Sequence, residues 1–263
     1  MSKREYNIPP KEIPKDLLDK FTMGGEIPVL DKYLDNADPE IQKEFNEKFT
    51  SAQLCEYQTQ CSKAEPHYYG PTDLFLWNAF INYPITNKHV LLMGSANPWY
   101  EAILLNWGAK KVTVCEYSDR PDIHPLINYI KPDDLGDEEY DMCVSISSFE
   151  HDGLGRYGDP LNPDGDIEAM QAVRKVLKDD GNLFLAIPIG KDKIVWNAHR
   201  IYGLKRLEKL LKGWAVNVIV GMENDQDFEK ETGIDATFQP VFVLTKYEEE
   251  KEEEWPFGKI KMF

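Results

Sequence analysis

From residue 88 onward, short apolar runs alternate with segments of helical period, and this alternation constrains the fold more than any other feature. His89–Gly94 (HVLLMG) is a continuous apolar run ending in glycine, as a strand buried on both faces reads. Residues 98–107 (PWYEAILLNW) predict a helix closed by Gly108, and 111–117 (KVTVCEY) a β-branched strand ending near Glu116. A further strand is expected over 140–147. A helix then opens at 162–164, carries Ile167, Met170, Val173 and Leu177 on one face, and stops at Gly181. A strand over 182–188, a helix marked by Leu204, Leu207, Leu210 and Leu211, and closing strands at 214–220 and 240–247 complete the series. Such alternation predicts βαβ units: an α/β, Rossmann-like three-layer sandwich with a mostly parallel sheet. The last two strands, joined by a polar segment, are expected to pair antiparallel at one sheet edge.

The preceding residues are less regular. Residues 1–35 hold Pro9, Pro10, Pro14, Pro28 and Gly24-Gly25 without sustained periodicity, and read as an arm. Asp38-Pro39 predicts a capped helix with Ile41, Phe45 and Phe49 at spacings of four. The tract through Tyr57, Cys61 and Tyr69 reads as irregular, and a second helix starts at Thr72. The chain therefore divides into an N-terminal arm and helical extension (1–65), an α/β domain (66–247) and an acidic tail (248–263). In that tail EEEKEEE is a solvated charge run, and the apolar WPFGKIKMF is expected to dock back.

Composition narrows the partners. With 46 acidic against 30 basic residues the formal charge is −16, which repels phosphate backbones and argues against nucleic acid. No apolar run approaches the roughly 18–20 residues that span a bilayer, and the basic N-terminus has no apolar stretch after it. A soluble, cytoplasmic protein without a membrane partner is expected. Cys55 and Cys61 form a lone C-x5-C pair without the second pair a zinc site needs, and Cys115 and Cys143 lie in strand-like runs. All four read as reduced thiols.

In an open parallel sheet, ligands bind outside the carboxyl ends of the strands. The loop Gly94-Ser95-Ala96-Asn97-Pro98 permits close backbone approach beside a helix start. Glu116 stands 22 residues beyond Gly94, at the end of the next strand, where a carboxylate can accept from a ribose diol. The loop Ser147-Ser148-Phe149-Glu150-His151-Asp152-Gly153-Leu154-Gly155-Arg156-Tyr157-Gly158-Asp159-Pro160 gathers Glu, His, Asp, Arg and Tyr at a strand's carboxyl end. There His151 suits a general base near neutral pH, oriented by Glu150 or Asp152. The same groups could hold a divalent ion, but they cluster locally with no distant partner, so no metal site is expected. The segment from Trp196 to Gly203 adds His199, Arg200 and Tyr202. They are either inward-pointing polar groups or a structural network.

The runs VLLMGSANPWYEA, VTVCEYS, YDMCVSISSFEHDGLGRYGDPLNPDGDIEAM and NLFLAIPIG resemble the successive motifs of class I S-adenosylmethionine-dependent methyltransferases. More closely, the stretch from SSFEHDGLGRYGDP to WNAHRIYG resembles an uncharacterised family from nematodes and bacteria with a methyltransferase-like fold. The resemblance covers roughly residues 66–220. It implies S-adenosylmethionine as cofactor, with Gly94, Ser95 and Asn97 at its methionine end, Glu116 at its ribose, and Ser147 or Ser148 flanking the sulfonium. The acceptor would be a small molecule or glycan, deprotonated by His151 or His199 beside Glu150 and held by Arg156, Tyr157, Arg200 and Tyr202. One departure favours an alternative, a catalytically inactive binding or scaffold protein on the same fold. The usual loop after the first strand has several glycines, and here only Gly94 remains.

Overall fold

The computed structural model describes residues 8–235 and 238–247, together with the short strand at Lys261–Met262. The apolar run β2 (His89–Met93) lies inside the main sheet, flanked by β3 (Lys111–Cys115) and β5 (Tyr140–Ile146). Outside β3 lies β4 (Ile127–Ile130). Beyond β5 come β6 (Leu177–Ala186), β10 (Val241–Lys246), β9 (Trp214–Val220) and β11 (Lys261–Met262). All neighbours pair in parallel except β10, which is antiparallel to both β6 and β9. The expected fold class is the one observed, with the antiparallel strand lying inside β9 rather than at the rim.

Period-two alternation builds the two cores. Val90, Leu92, Val112, Val114, Val144 and Phe184 face α3 (Ser51–Ser62), α4 (Pro71–Asn82) and α5 (Trp99–Asn106), which contribute Leu54, Leu76, Phe80, Trp99 and Ile103. Leu91, Cys143, Leu183 and Leu185 face α6 (Gly165–Val176) and α7 (Leu204–Leu210), which contribute Met170, Val173, Leu207 and Leu210. Strands covered on both faces explain the unbroken apolar text of the sheet. Cys115 and Cys143 are buried and free.

Several elements differ from the sequence expectation. Within the expected arm, residues 8–35 hold α1 (Lys15–Phe21) and β1 (Val29–Lys32). β1 pairs in parallel with β7 (Lys193–Asn197), Val29 opposite Ile194, and β7 pairs antiparallel with β8 (His199–Ile201) in a second, three-stranded sheet. Phe21 packs edge-on against Trp196 at 5.3 Å, inside a cluster with Ile27, Leu154 and Ile194. The irregular tract proves to be α3, whose only buried residue is Leu54, so its apolar period is faint. α2 (Pro39–Glu47) forms where expected, and the Asp38 carboxylate accepts from the Glu40 N–H at 2.8 Å. α6 ends at Val176 rather than at Gly181. Leu177 already begins β6, which shifts register opposite Tyr140 and Met142, and a Cβ on Gly181 would lie 2.8 Å from the Asp141 carbonyl oxygen. The acidic run 248–254 lies outside the described residues, whereas 261–262 do return to pair with β9.

Candidate active site

The chain runs outward from β2 to β3 and β4, then crosses back to place β5 on the other side of β2. The strand order therefore reverses between β2 and β5, and a crevice opens at their carboxyl ends. It is a cleft of about 980 Å³, bordered by Gly94, Glu116, Ser147, Glu150, His151 and Tyr69, with Phe45 and Lys48 closing one side. Gly94 has φ +75°, and a Cβ there would meet the Ser148 Oγ at 2.5 Å. Glycine is needed so that the backbones after β2 and β5 can approach.

Around Gly94 the loop is tied by its own polar groups. The Ser95 N–H donates to the Glu116 Oε2 at 2.8 Å, and the Ser95 hydroxyl donates to the Glu101 Oε1 at 2.7 Å, so Ser95 is turned inward. The Asn97 Oδ1 accepts from the Trp99 N–H at 3.1 Å, in a turn just before α5. Glu116 takes the Ser118 N–H on its Oε1 at 3.2 Å, with the Arg120 Nη2 at 3.9 Å. Each carboxylate oxygen has two lone pairs, so Glu116 retains acceptor capacity on both. Glu101 is fully buried, and burial pushes its carboxyl up to about 7.

A second network lies across the crevice, after β5. Ser147 has φ +50°, a strained conformation for a residue with a side chain. Its hydroxyl donates to the Glu150 Oε1 at 2.5 Å and accepts from the Tyr69 hydroxyl at 2.8 Å and the Gln239 Nε2 at 3.3 Å. Glu150 is fully buried, its Oε2 has no hydrogen-bond partner, and burial raises its carboxyl to about 7. His151 Nδ1 donates to the Ala198 carbonyl at 2.6 Å, which leaves Nε2 as the lone-pair nitrogen, 3.6 Å from Glu150 Oε1. Burial, then the Arg156 charge, hold His151 well below the ordinary histidine value, and burial lowers His199 to about 4. Both histidines are therefore held below neutrality, where the expectation had a histidine titrating, and the carboxyl of Glu150, cast as orienter, lies nearer to it.

Among the expected substrate contacts, Arg200 and Tyr202 are corrected as well. Arg200 is 2 % exposed and donates to the Asp152 carbonyl at 2.6 Å, with its Nε 3.7 Å from Asp166. Tyr202 is fully buried and donates to Asp166 at 2.9 Å. Both sit behind the cleft in a pairing that also includes Arg206, a structural network. Arg156 and Tyr157 do border the cleft, although Arg156 is engaged by Asn36 at 2.6 Å and Ala198 at 3.1 Å. The glycine-rich loop is a scaffold held by Asp159, whose Oδ2 accepts from the Gly153 and Gly155 N–H groups at 2.7 and 3.0 Å. Tyr69 and Gln239 were missed by sequence reasoning. No spacing signals them, since they lie 78 and 92 residues from Ser147. Among the described residues, no group of three or more His, Cys, Asp or Glu side chains is placed to hold a metal ion, and no helix is long and apolar enough to cross a membrane.

A mostly parallel sheet of this order, with one antiparallel strand near its end and a crevice at the β2/β5 reversal, is a Rossmann-like α/β architecture. Residues 87–239 match the family described as Caenorhabditis protein of unknown function, DUF268, and the chain belongs to that family. No curated protein matches it. Among solved structures it is similar to an S-adenosylmethionine-dependent methyltransferase from Clostridium acetobutylicum, 11% identical with a TM-score of 0.47 over 75% of this chain and 99% of that one. It is also similar to a ribosomal protein L11 methylase from Lactobacillus delbrueckii subsp. bulgaricus, 12% identical with a TM-score of 0.42 over 68% and 80% of the two chains. These are likenesses of fold.

Proposed function

We propose that the chain binds S-adenosylmethionine across the carboxyl edge of its sheet and methylates a hydroxyl of a small molecule or glycan. The observation that carries this reading is Glu116, a buried carboxylate at the end of β3 with acceptor sites to spare, beside a cleft of about 980 Å³. The residues fit the group. Glu116 would take the ribose diol, Gly94 leaves the floor free of a Cβ, and Ser147 and Ser148 stand at the opposite wall. The cofactor, when bound, supplies a methyl already activated by its sulfonium.

What remains for the protein is alignment, exclusion of water and removal of one proton. Tyr69 and Tyr157 line the cleft and suit a ring-shaped acceptor. Glu150, with its carboxyl near 7, is matched to accept a proton at neutral pH. His151, neutral and fixed on Ala198, positions the loop beside it.

Titration calorimetry with S-adenosylhomocysteine tests the reading: wild type binds, and Glu116→Ala loses about 1.5–3 kcal/mol, the scale of hydrogen bonds to a charged group. A second reading, an inactive scaffold on the same fold, is favoured by the lone Gly94 and by a Ser95 whose polar groups are both spent on Glu101 and Glu116. Absence of heat and of thermal shift at millimolar ligand selects the scaffold.

A further inference from the structure

Glu150 borders the cleft with an Oε2 that has no hydrogen-bond partner among the described residues, yet its side chain is 0 % exposed. No acceptor can touch it directly. Among the described residues its one hydrogen bond from a side chain comes from Ser147, so a proton reaches it through that hydroxyl. Ser147 in turn has no site left for an incoming hydroxyl. Its single proton goes to Glu150, and its two lone pairs are taken by Tyr69 and Gln239. Tyr69 differs: it is half-buried, borders the cleft, and spends its proton on Ser147 while keeping lone-pair capacity on its oxygen. Counting donors and acceptors therefore leaves one point of entry. The backbone strain at Ser147 agrees with a geometry held for function, since φ +50° is what aims its hydroxyl between helix-borne Glu150 and the segment before α4.

We propose that Tyr69, Ser147 and Glu150 form a proton relay in which Tyr69 touches the acceptor hydroxyl and Glu150 is the terminal base. The inference rests on the methyl-transfer reading and deepens it by naming the contact residue and a neutral hydroxyl as acceptor class. In the step, the acceptor oxygen forms a bond to the methyl carbon as the methyl–sulfur bond breaks, and the electron pair of that bond stays on sulfur. The acceptor proton passes to the Tyr69 oxygen, the Tyr69 proton to Ser147, and the Ser147 proton to Glu150, which ends as the neutral acid. Several charged or titratable groups face this line: Arg156 and Arg200 favour the ionised form of Glu150, while Tyr157, Tyr68 and the Glu150 charge itself raise Tyr69. His151 stands 3.6 Å from Glu150 on the far side.

Three measurements on the full chain separate the relay from its parent reading. Calorimetry with S-adenosylhomocysteine gives equal affinities for wild type and Tyr69→Phe; a wild type that does not bind overturns the methyl-transfer reading itself. Infrared titration then follows the protonated-carboxyl stretch that disappears in Glu150→Gln. Its midpoint near neutrality shifts in both Tyr69→Phe and Ser147→Ala, whereas a midpoint indifferent to both substitutions overturns the relay. Finally, transfer of labelled methyl from S-adenosylmethionine to methyl β-D-glucopyranoside falls about a hundredfold in kcat in Tyr69→Phe and Glu150→Gln, with the donor KM unmoved. Tyr69→Phe at the wild-type rate, or no transfer by a wild type that binds S-adenosylhomocysteine, overturns it equally.

Discussion

Two buried glutamates with carboxyls near 7, Glu101 and Glu150, make this fold sensitive to pH in an unusual direction. A carboxyl raised from 4.5 to about 7 keeps in the fold a proton that the unfolded chain releases. Stability from such a group therefore falls as pH rises between those two values. Glu101→Gln removes the ionisation while retaining an acceptor for Ser95, so its melting temperature gain over wild type is large at pH 8 and vanishes near pH 4. An equal gain at both pH values contradicts the assignment. His199 acts in the opposite sense. Its value is lowered from 6.5 to about 4, the unfolded chain binds the proton first, and its contribution is lost as pH falls through that window. NMR of the His199 ring should give a midpoint near 4, and one near 6.5 would deny its burial. At this scale the sequence was partly legible. Glu116 announced itself by ending a strand 22 residues after Gly94. The reversal of roles between His151 and Glu150 did not, because desolvation depends on what packs around a group rather than on its neighbours in the chain.

Among the elements, the central strands of the main sheet were legible from their burial, whereas α2, which buries none of its residues, was legible from its Asp38-Pro39 start. β2, β3, β5 and the Leu183–Ala186 end of β6 are covered on both faces and read as apolar runs; α1, β1 and α3 bury little each and left no period to find. Their contribution is nevertheless concrete. Phe21→Ala empties the space against Trp196 and should cost about 3–5 kcal/mol in denaturant unfolding, with the loss located in the small sheet by hydrogen exchange. A cost below 1 kcal/mol would make the α1–β1 segment an appendage after all. The glycine loop after β5 is constrained in a different way. A Cβ at Gly153 would fall 1.9 Å from the Asn162 carbonyl oxygen at a φ of +80°, so Gly153→Ala forces the loop off Asp159 and moves the wall that carries Arg156 and Tyr157. The expected readout is lower thermal stability together with weaker S-adenosylhomocysteine binding.

For the molecule as a whole, a ligand that binds only the folded chain stabilises it by mass action. S-adenosylhomocysteine at a hundred times its Kd should add about 2.7 kcal/mol to unfolding, and at the same concentration Glu116→Ala should lose half of that gain or more. An identical shift in both proteins would place the ligand away from β3. The chain's own text determined the α/β class, the order of its strands and helices after residue 88 apart from β4, β7 and β8, and the loops that border the cleft. These follow from local periodicity and from the apolar content of buried strands, both written within a few residues of each other. Tertiary structure alone decided that Arg200 and Tyr202 stand behind the cleft, that residues 29–32 complete a second sheet with residues 193–197, and that Tyr69 and Gln239 converge on Ser147. Those outcomes are set by contacts between segments up to 165 residues apart, as with Val29 and Ile194, and by the water each contact excludes. A one-dimensional pattern records neither.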